Sequence, residues 1–308
     1  MAGGFAHITA AAEAFGRLRE VTGFTNLDKR GLSQFQPFFE VGSVAPDYPY
    51  LGFEGDWADA MHYEKTGDTI RHGVRYVRAL PLGPERMRAL AWLCGYAAHV
   101  ATDLTIHPVV ESRVGPYADN KTDHRTCEMH QDAYIWKRRN LGDLGLADYF
   151  DETISFCEDG DGKLAPSVTE MWYHMLQATY PDRFEASPPD IQRWNDGFKI
   201  IVDTIDDLGS FVSFSRHLLA SKGKAYPAPD AIDMSFIADL QTPQGPSHYD
   251  EVFDKAIQSI LQVWAAIGQA VNEADEAQLE AALQSIPDGN LDTGRDLASN
   301  SYIFWETV

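Results

Sequence analysis

Gly95-Tyr96-Ala97-Ala98-His99-Val100-Ala101-Thr102-Asp103-Leu104-Thr105-Ile106-His107-Pro108 places two histidines and an aspartate at intervals of four in an otherwise apolar stretch. On a helix, residues four apart share a face, and a rise of about 1.5 Å per residue sets the His99 and His107 α-carbons roughly 12 Å apart. That is too far for a single tetrahedral ion to take all three side chains easily. The economical arrangement lets His99 and Asp103 grip one ion while His107 turns to a second, with the carboxylate as a bridge. The alternative is a buried helix with two hydrogen-bonded histidines.

Upstream of the stripe, Met87, Leu90, Ala91, Leu93, Cys94, Ala97, Ala98 and Val100 make the segment apolar almost all round, and Pro84 stands where a helix begins. This predicts a central, buried helix. Polar groups on such a helix need partners, because an unpaired buried carboxylate is costly to keep ionised. Before it, Ile70, Val74, Val77 and Leu80 predict a helix over 66–81, and Ile8, Ala11, Phe15 and Leu18 predict one opened by His7. Between 31 and 65, Pro37, Pro46, Pro49, Gly42, Gly52 and Gly55 break the periodicity, so this stretch reads as a long ordered loop. It holds Asp47, His62 and the aromatics Tyr48, Tyr50, Phe53, Trp57 and Tyr63.

Downstream, Thr122 or Asp123 can cap a helix in which His124, Glu128 and Asp132 form a second stripe of period four, with His130 on another face. Helical periodicity returns at 164–180, 190–208, 248–272 and 276–284. The expected fold is all-α: one domain over residues 1–308, a multi-helix bundle with long ordered loops. Its candidate metal site falls in 7–132, and helices of 164–284 complete the packing. His174, His217 and His248 are scattered singly and read as structural or exposed. Asp159-Gly160-Asp161-Gly162 lacks the later glutamate of a calcium loop and reads as an acidic turn.

Composition narrows the partners. The chain of 308 residues carries a formal charge of −21, which disfavours long nucleic acids and anionic membranes. No run is long enough for a membrane span, and the N-terminus has neither a basic leader nor an apolar core. Three cysteines, Cys94, Cys127 and Cys157, are too few for a disulfide framework. These features together suggest a soluble, cytoplasmic protein.

The histidines and carboxylates of the first 130 residues, without thiolates, suit zinc and other first-row divalent ions. A di-iron carboxylate bundle needs a Glu-x-x-His element, which the chain lacks, and a histidine-aspartate phosphohydrolase needs the two residues adjacent. In Pro46-Asp47, His99-x-x-x-Asp103 and His124-x-x-x-Glu128, over His7 to about Asp132, the chain resembles the zinc-dependent phospholipase C family and its relatives, the zinc-dependent single-strand nucleases.

The resemblance implies a mostly helical fold with clustered zinc ions and assigns ligands by position. His62, His99 and Asp103 would serve one ion, and His107, His124 and Glu128 another. His7 would join the bridging Asp103 at a third, and Asp47 would orient or deprotonate the attacking water. It further implies an N-terminal amine ligand, which Ala2 would supply after loss of Met1. The interval from Asp103 to His107 is shorter than in the secreted enzymes, so His107 carries the least secure assignment. The implied activity is hydrolysis of a phosphodiester or phosphomonoester with two to three zinc ions, on a small soluble substrate first and a lipid second. The alternatives are another metal-assisted hydrolysis or tailoring step on a metabolite, and a non-catalytic protein stapled by zinc. The aromatics of 48–63 would wall a substrate pocket or pack the loop.

Overall fold

A computed structural model of the chain describes residues 3–140, 147–208, 226–227 and 229–306. Its helices are α1 (Gly4–Gly16), α2 (Asn26–Leu32), α3 (Gln36–Gly42), α4 (Tyr48–Leu51), α5 (Gly55–Tyr63), α6 (Thr66–Ala79) and α7 (Pro84–Val114). There follow α8 (Lys121–Trp136), α9 (Ala147–Phe156), α10 (Pro166–Thr179), α11 (Pro181–Ala186), α12 (Ile191–Leu208), α13 (Tyr249–Asn272) and α14 (Glu276–Gln284). Two small antiparallel hairpins pair β1 (Leu240–Thr242) with β2 (Gly245–Ser247), and β3 (Gly289–Asn290) with β4 (Arg295–Asp296). The fold is all-α, as the periodicity predicts.

The 31-residue α7 is the axis of the bundle, buried nearly all round from Ala89 to Val110. Helices α1, α2, α3, α6, α8, α10 and α13 all pack on it. Helix α3 approaches it closely, admitted by a pair of glycines. A Cβ on Gly95 would stand 2.4 Å from the Phe39 carbonyl oxygen, and one on Gly42 would stand 2.7 Å from that of Trp92. Only residues without side chains allow this approach. Gly95 lies one turn before His99 on the same stripe, so the crossing delivers the end of α3 to the first of the three polar residues.

Residues 31–65 differ from the expected loop. They fold into α3, α4, α5 and a 3-10 turn over Ala45–Asp47, with Pro37, Pro46 and Pro49 each in the opening positions of its element. A proline there loses no helical hydrogen bond, so the prolines here start short helices instead of preventing them. Helix α8 begins at Lys121, slightly ahead of the expected cap. Asn120 takes the N-cap position without a side-chain cap, because its amide donates to the Pro116 carbonyl.

Within α7, Pro108 removes the N–H that would bond the Leu104 carbonyl. The C-terminal segment packs at this break. Gly294, at φ +66°, lies so close that a Cβ would meet Pro108 Cγ at 2.3 Å and Leu104 O at 2.5 Å, and the Trp305 indole donates to the Thr105 carbonyl at 2.8 Å. Cys94, Cys127 and Cys157 are buried free thiols. No described helix is long and apolar enough to cross a membrane.

Candidate metal centre

All eight sequence candidates converge. His7, His62, His99, Asp103, His107 and His124 are fully buried, Asp47 is 1% exposed and Glu128 2%. Asp103 is at the centre. Its Oδ1 lies 3.2 Å from His7 Nε2 and 3.4 Å from His107 Nε2, and its Oδ2 lies 3.2 Å from His99 Nε2. On one side, His62 Nε2 stands 3.3 Å from Asp47 Oδ1 and 3.2 Å from His99 Nε2. On the other, Glu128 Oε1 stands 3.5 Å from His107 Nε2 and 3.1 Å from His124 Nδ1. The rings of His7 and His99 stack with centroids 3.9 Å apart, both edges turned to Asp103.

Main-chain carbonyls fix which nitrogen each histidine offers. His62 Nδ1 faces the Ala58 carbonyl at 2.6 Å, His99 Nδ1 that of Ser43 at 2.9 Å, and His107 Nδ1 that of Leu291 at 2.6 Å. A carbonyl only accepts, so each Nδ1 carries the hydrogen and each neutral ring presents a lone pair at Nε2. The Nε2 atoms of His62 and His99, 3.2 Å apart, thus face each other as two lone pairs. A proton or a metal ion between them relieves that contact. Two ligand nitrogens about 2.0–2.1 Å from one tetrahedral zinc lie about 3.3–3.4 Å apart, which matches the spacing seen across the cluster.

The remaining polar atoms agree with this reading. Neither oxygen of Asp47, neither nitrogen of His7, and not His107 Nε2 has a hydrogen bond among the described residues, although all are buried. Buried polar groups are normally satisfied, so a cluster of orphans around Asp103 marks a missing partner. Two trios bring one ligand atom each to within 4.8 Å of one another: His7, His99 and Asp103; and Asp47, His62 and His99. His99 is common to both. Asp47 therefore stands at ligand distance beside His62 and His99.

Electrostatics separate the histidines. Burial, aided by His99, pushes His7 down to about 4. Burial lowers His124 as well. Burial is also the largest influence on His99 and His107 and opposes their protonation, but Asp103 together with Asp47 and the Ser43 carbonyl at His99, and Asp103 together with Glu128 at His107, raises both on balance. For Asp103 burial works against ionisation, yet His107, His99 and His7 together hold the carboxyl well below its ordinary range. Asp103 and Glu128 are thus held anionic and His7 and His124 neutral, the states in which such groups bind a divalent ion.

Two contributors lie outside the set read from sequence. Asp132, the last residue of the α8 stripe, accepts the Ala6 N–H at 2.8 Å, the Phe5 N–H at 3.4 Å and the Tyr226 hydroxyl at 2.9 Å. It satisfies free N–H groups at the start of α1 and so anchors the turn that carries His7, the residue after Ala6. The stripe in the sequence was its signal. Leu291 contributes its carbonyl to His107 and its N–H to the His62 carbonyl at 3.0 Å. A main-chain role leaves no residue-type signal. The site thus extends beyond 7–132 to residue 291.

Of the five aromatics, Tyr48 and Trp57 are core residues. Tyr48 packs on Trp92, Trp172 and Phe198, and the Trp57 indole donates to Ser187 O. Phe53 is exposed. Tyr50 and Tyr63 lie against the His62 ring, with the Tyr50 hydroxyl on Asp59 at 2.6 Å. Tyr117 stands edge-on to His124, its phenol pushed up by burial and by Glu128, Asp292, Asp59 and Asp47. Asp59 is exposed and Tyr117 and Asp292 are half-buried, so this rim is where the centre meets solvent. His130 accepts the Asp233 N–H away from the cluster, and His174 and His248 pair with Tyr76 and Asp250. His217 and the N-terminal amine lie outside the described residues.

Comparison with known protein families matches residues 6–203 to zinc dependent phospholipase C. The chain belongs to this family. The match runs well past the His7 to Asp132 span that carries the resemblance in sequence, taking in α9, α10, α11 and most of α12. No curated protein and no solved structure gives a match. As a zinc-dependent phospholipase C family member, the protein is a zinc-dependent hydrolase at the level of its family, and its buried histidine and aspartate trios are a donor set that zinc accepts.

Proposed function

We propose that this chain hydrolyses phosphodiesters at a centre of two to three zinc ions held by His7, Asp47, His62, His99, Asp103, His107, His124 and Glu128. The observation that carries this reading is the facing pair of Nε2 lone pairs on His62 and His99, whose Nδ1 atoms are committed to carbonyls. In the proposal His62, His99 and Asp47 share one ion, His7 and the bridging Asp103 meet at a second, and His107, His124 and Glu128 grip a third. Bound zinc supplies Lewis acidity toward phosphoryl oxygens and toward water.

The chain's own residues supply the rest. Asp103 and Glu128, held anionic, keep the ligand set fixed. The carbonyls of Ala58, Ser43 and Leu291 accept from three Nδ1–H groups and so hold those imidazoles with the Nε2 lone pair free, which preorganises the site before substrate arrives. Asp47, whose oxygens have no hydrogen bond from the described residues, is the carboxylate placed to orient a water and accept its proton.

The rim narrows the substrate. Asp59, Asp292 and Glu111 near the opening repel a second negative charge, so a phosphodiester with one charge is favoured over a monoester dianion. Carboxylates beside the phenols of Tyr50, Tyr63 and Tyr117 suit a cationic substituent, as a zwitterionic lipid headgroup or a small soluble ester carries. The test is metal analysis of the purified protein together with turnover of bis(p-nitrophenyl) phosphate, p-nitrophenyl phosphorylcholine and p-nitrophenyl phosphate. Two to three zinc per chain, with the phosphorylcholine ester turned over fastest and the monoester slowest, is the expected result. Zinc without turnover of any of the three would point to a purely structural centre.

A further inference from the structure

The C-terminal third of the chain lies beyond the family match, which ends at residue 203, yet it reaches the metal centre. The hairpin built on β3 and β4 passes between the end of α5 and the middle of α7. At its tip Leu291, fully buried, accepts from His107 Nδ1 at 2.6 Å and donates its N–H to the carbonyl of His62 at 3.0 Å. One residue therefore holds a candidate ligand on each flank of Asp103.

The surroundings hold that residue in place. The Asn290 side-chain oxygen accepts from the N–H groups of Asp292 at 3.0 Å and Thr293 at 3.2 Å, forming the turn that turns Leu291 inward. Gly294 fits against Pro108 in a left-handed conformation at φ +66°, where any side chain would strike Pro108 and the Leu104 carbonyl. At the base, Thr66 exchanges hydrogen bonds with Gly289, donating at 2.8 Å and accepting at 3.0 Å, and Asp288 accepts the Gly67 N–H at 3.0 Å. The hairpin is thus tied to the start of α6, the end of α5 and the proline break of α7.

We propose that the hairpin Gly289–Asp296 is a positioning element of the zinc centre, setting through the Leu291 main chain the tautomer and direction of His107 and the place of His62. The inference rests on the zinc reading above. It makes the segment beyond residue 203 part of the site, and it gives His107 a support that its spacing from Asp103 does not reveal. Hydrogen-bond partners behind a metal-bound histidine are worth about 10–100-fold in metal affinity.

The test is zinc affinity and stoichiometry of the full chain, by competition with a chromophoric chelator, for wild type, Asn290→Ala, Asn290→Asp and Gly294→Val. Far-UV circular dichroism of each zinc-free protein verifies the fold. Asn290→Ala, which removes the turn acceptor, is expected to weaken the zinc held by His107 by about 10–100-fold, with a smaller loss at the ion of His62, while the ion of His7 and Asp103 stays tight. Asn290→Asp keeps the acceptor and is expected to restore near wild-type affinity, which general destabilisation would not do. Gly294→Val is expected to weaken the same ion, and if it fails to fold the Asn290 pair decides alone. Unchanged affinity and stoichiometry in a folded Asn290→Ala overturns the role of the hairpin and leaves the zinc reading standing. A wild type that takes up no zinc overturns both.

Discussion

Asp132→Asn tests how the start of α1 is held. Burial sets the Asp132 carboxyl at about 7 against an ordinary 3.8, outweighing the hydrogen bonds from Ala6, Phe5 and Tyr226. Between those values the folded chain keeps a proton that the unfolded chain has released. Stability from this group is therefore fully present below the unfolded pKa and is lost as pH rises toward the folded one. The gap of about three pH units corresponds to about 4 kcal/mol over the whole window, or about 2 kcal/mol between pH 5.5 and 7. Asparagine does not titrate, and its carbonyl still accepts the Ala6 N–H. Urea unfolding of the zinc-free wild type and variant, followed by circular dichroism in half-unit steps, gives the difference directly. Wild-type stability minus that of the variant is expected to fall by about 2 kcal/mol from pH 5.5 to 7 and to flatten above it. Parallel pH profiles would refute the assignment of a protonated carboxyl at the head of α1.

Asp103→Asn is expected to lower the zinc content and to abolish phosphodiesterase activity with the far-UV spectrum unchanged, since three imidazole nitrogens face this one carboxylate. Retained zinc and activity would count against its central place. Gly95→Ala drives a methyl group to 2.4 Å from the Phe39 carbonyl and is expected to cost about 1–3 kcal/mol, read as a lower denaturant midpoint, while shifting Ser43 away from His99. Tyr50→Phe removes the 2.6 Å bond to Asp59 and is expected to raise KM for p-nitrophenyl phosphorylcholine while leaving that for bis(p-nitrophenyl) phosphate, which has no cationic substituent, unchanged.

What the sequence reveals of this centre depends on whether the relevant geometry is local. The stripe of Gly95, His99, Asp103 and His107 is legible because a single helix sets its spacing, and the all-round apolar character of α7 shows that these residues are buried. The pair His124 and Glu128 is legible for the same reason. His7, Asp47 and His62 sit on separate short elements, and only the packing of α1, the 3-10 turn and α5 around α7 brings them to Asp103. Their membership came from resemblance to the family and not from their spacing. The reading of 31–65 as a loop failed because prolines at helix starts and prolines in loops look alike along the chain. Asp132 was visible as the third member of a stripe, but its targets, two N–H groups of α1, are 126 and 127 residues away.

Leu291 marks the limit of this kind of reading, and the reason is chemical. A carbonyl oxygen is the same on every residue, so when the main chain orients a histidine the sequence carries only the requirements for bringing it there. Those requirements are present: an asparagine that closes the turn at 290, a glycine at 294 that tolerates both the left-handed conformation and the contact with Pro108, and Thr66 and Asp288 holding the base. Each reads as ordinary turn chemistry alone. Together with Pro108, which opens α7 just after His107, they give a reason for a proline inside the helix that carries the His99, Asp103 and His107 stripe. The break makes room for the hairpin, and the hairpin gives back to His107 and His62 the polar partners that a helix buried on all sides does not provide.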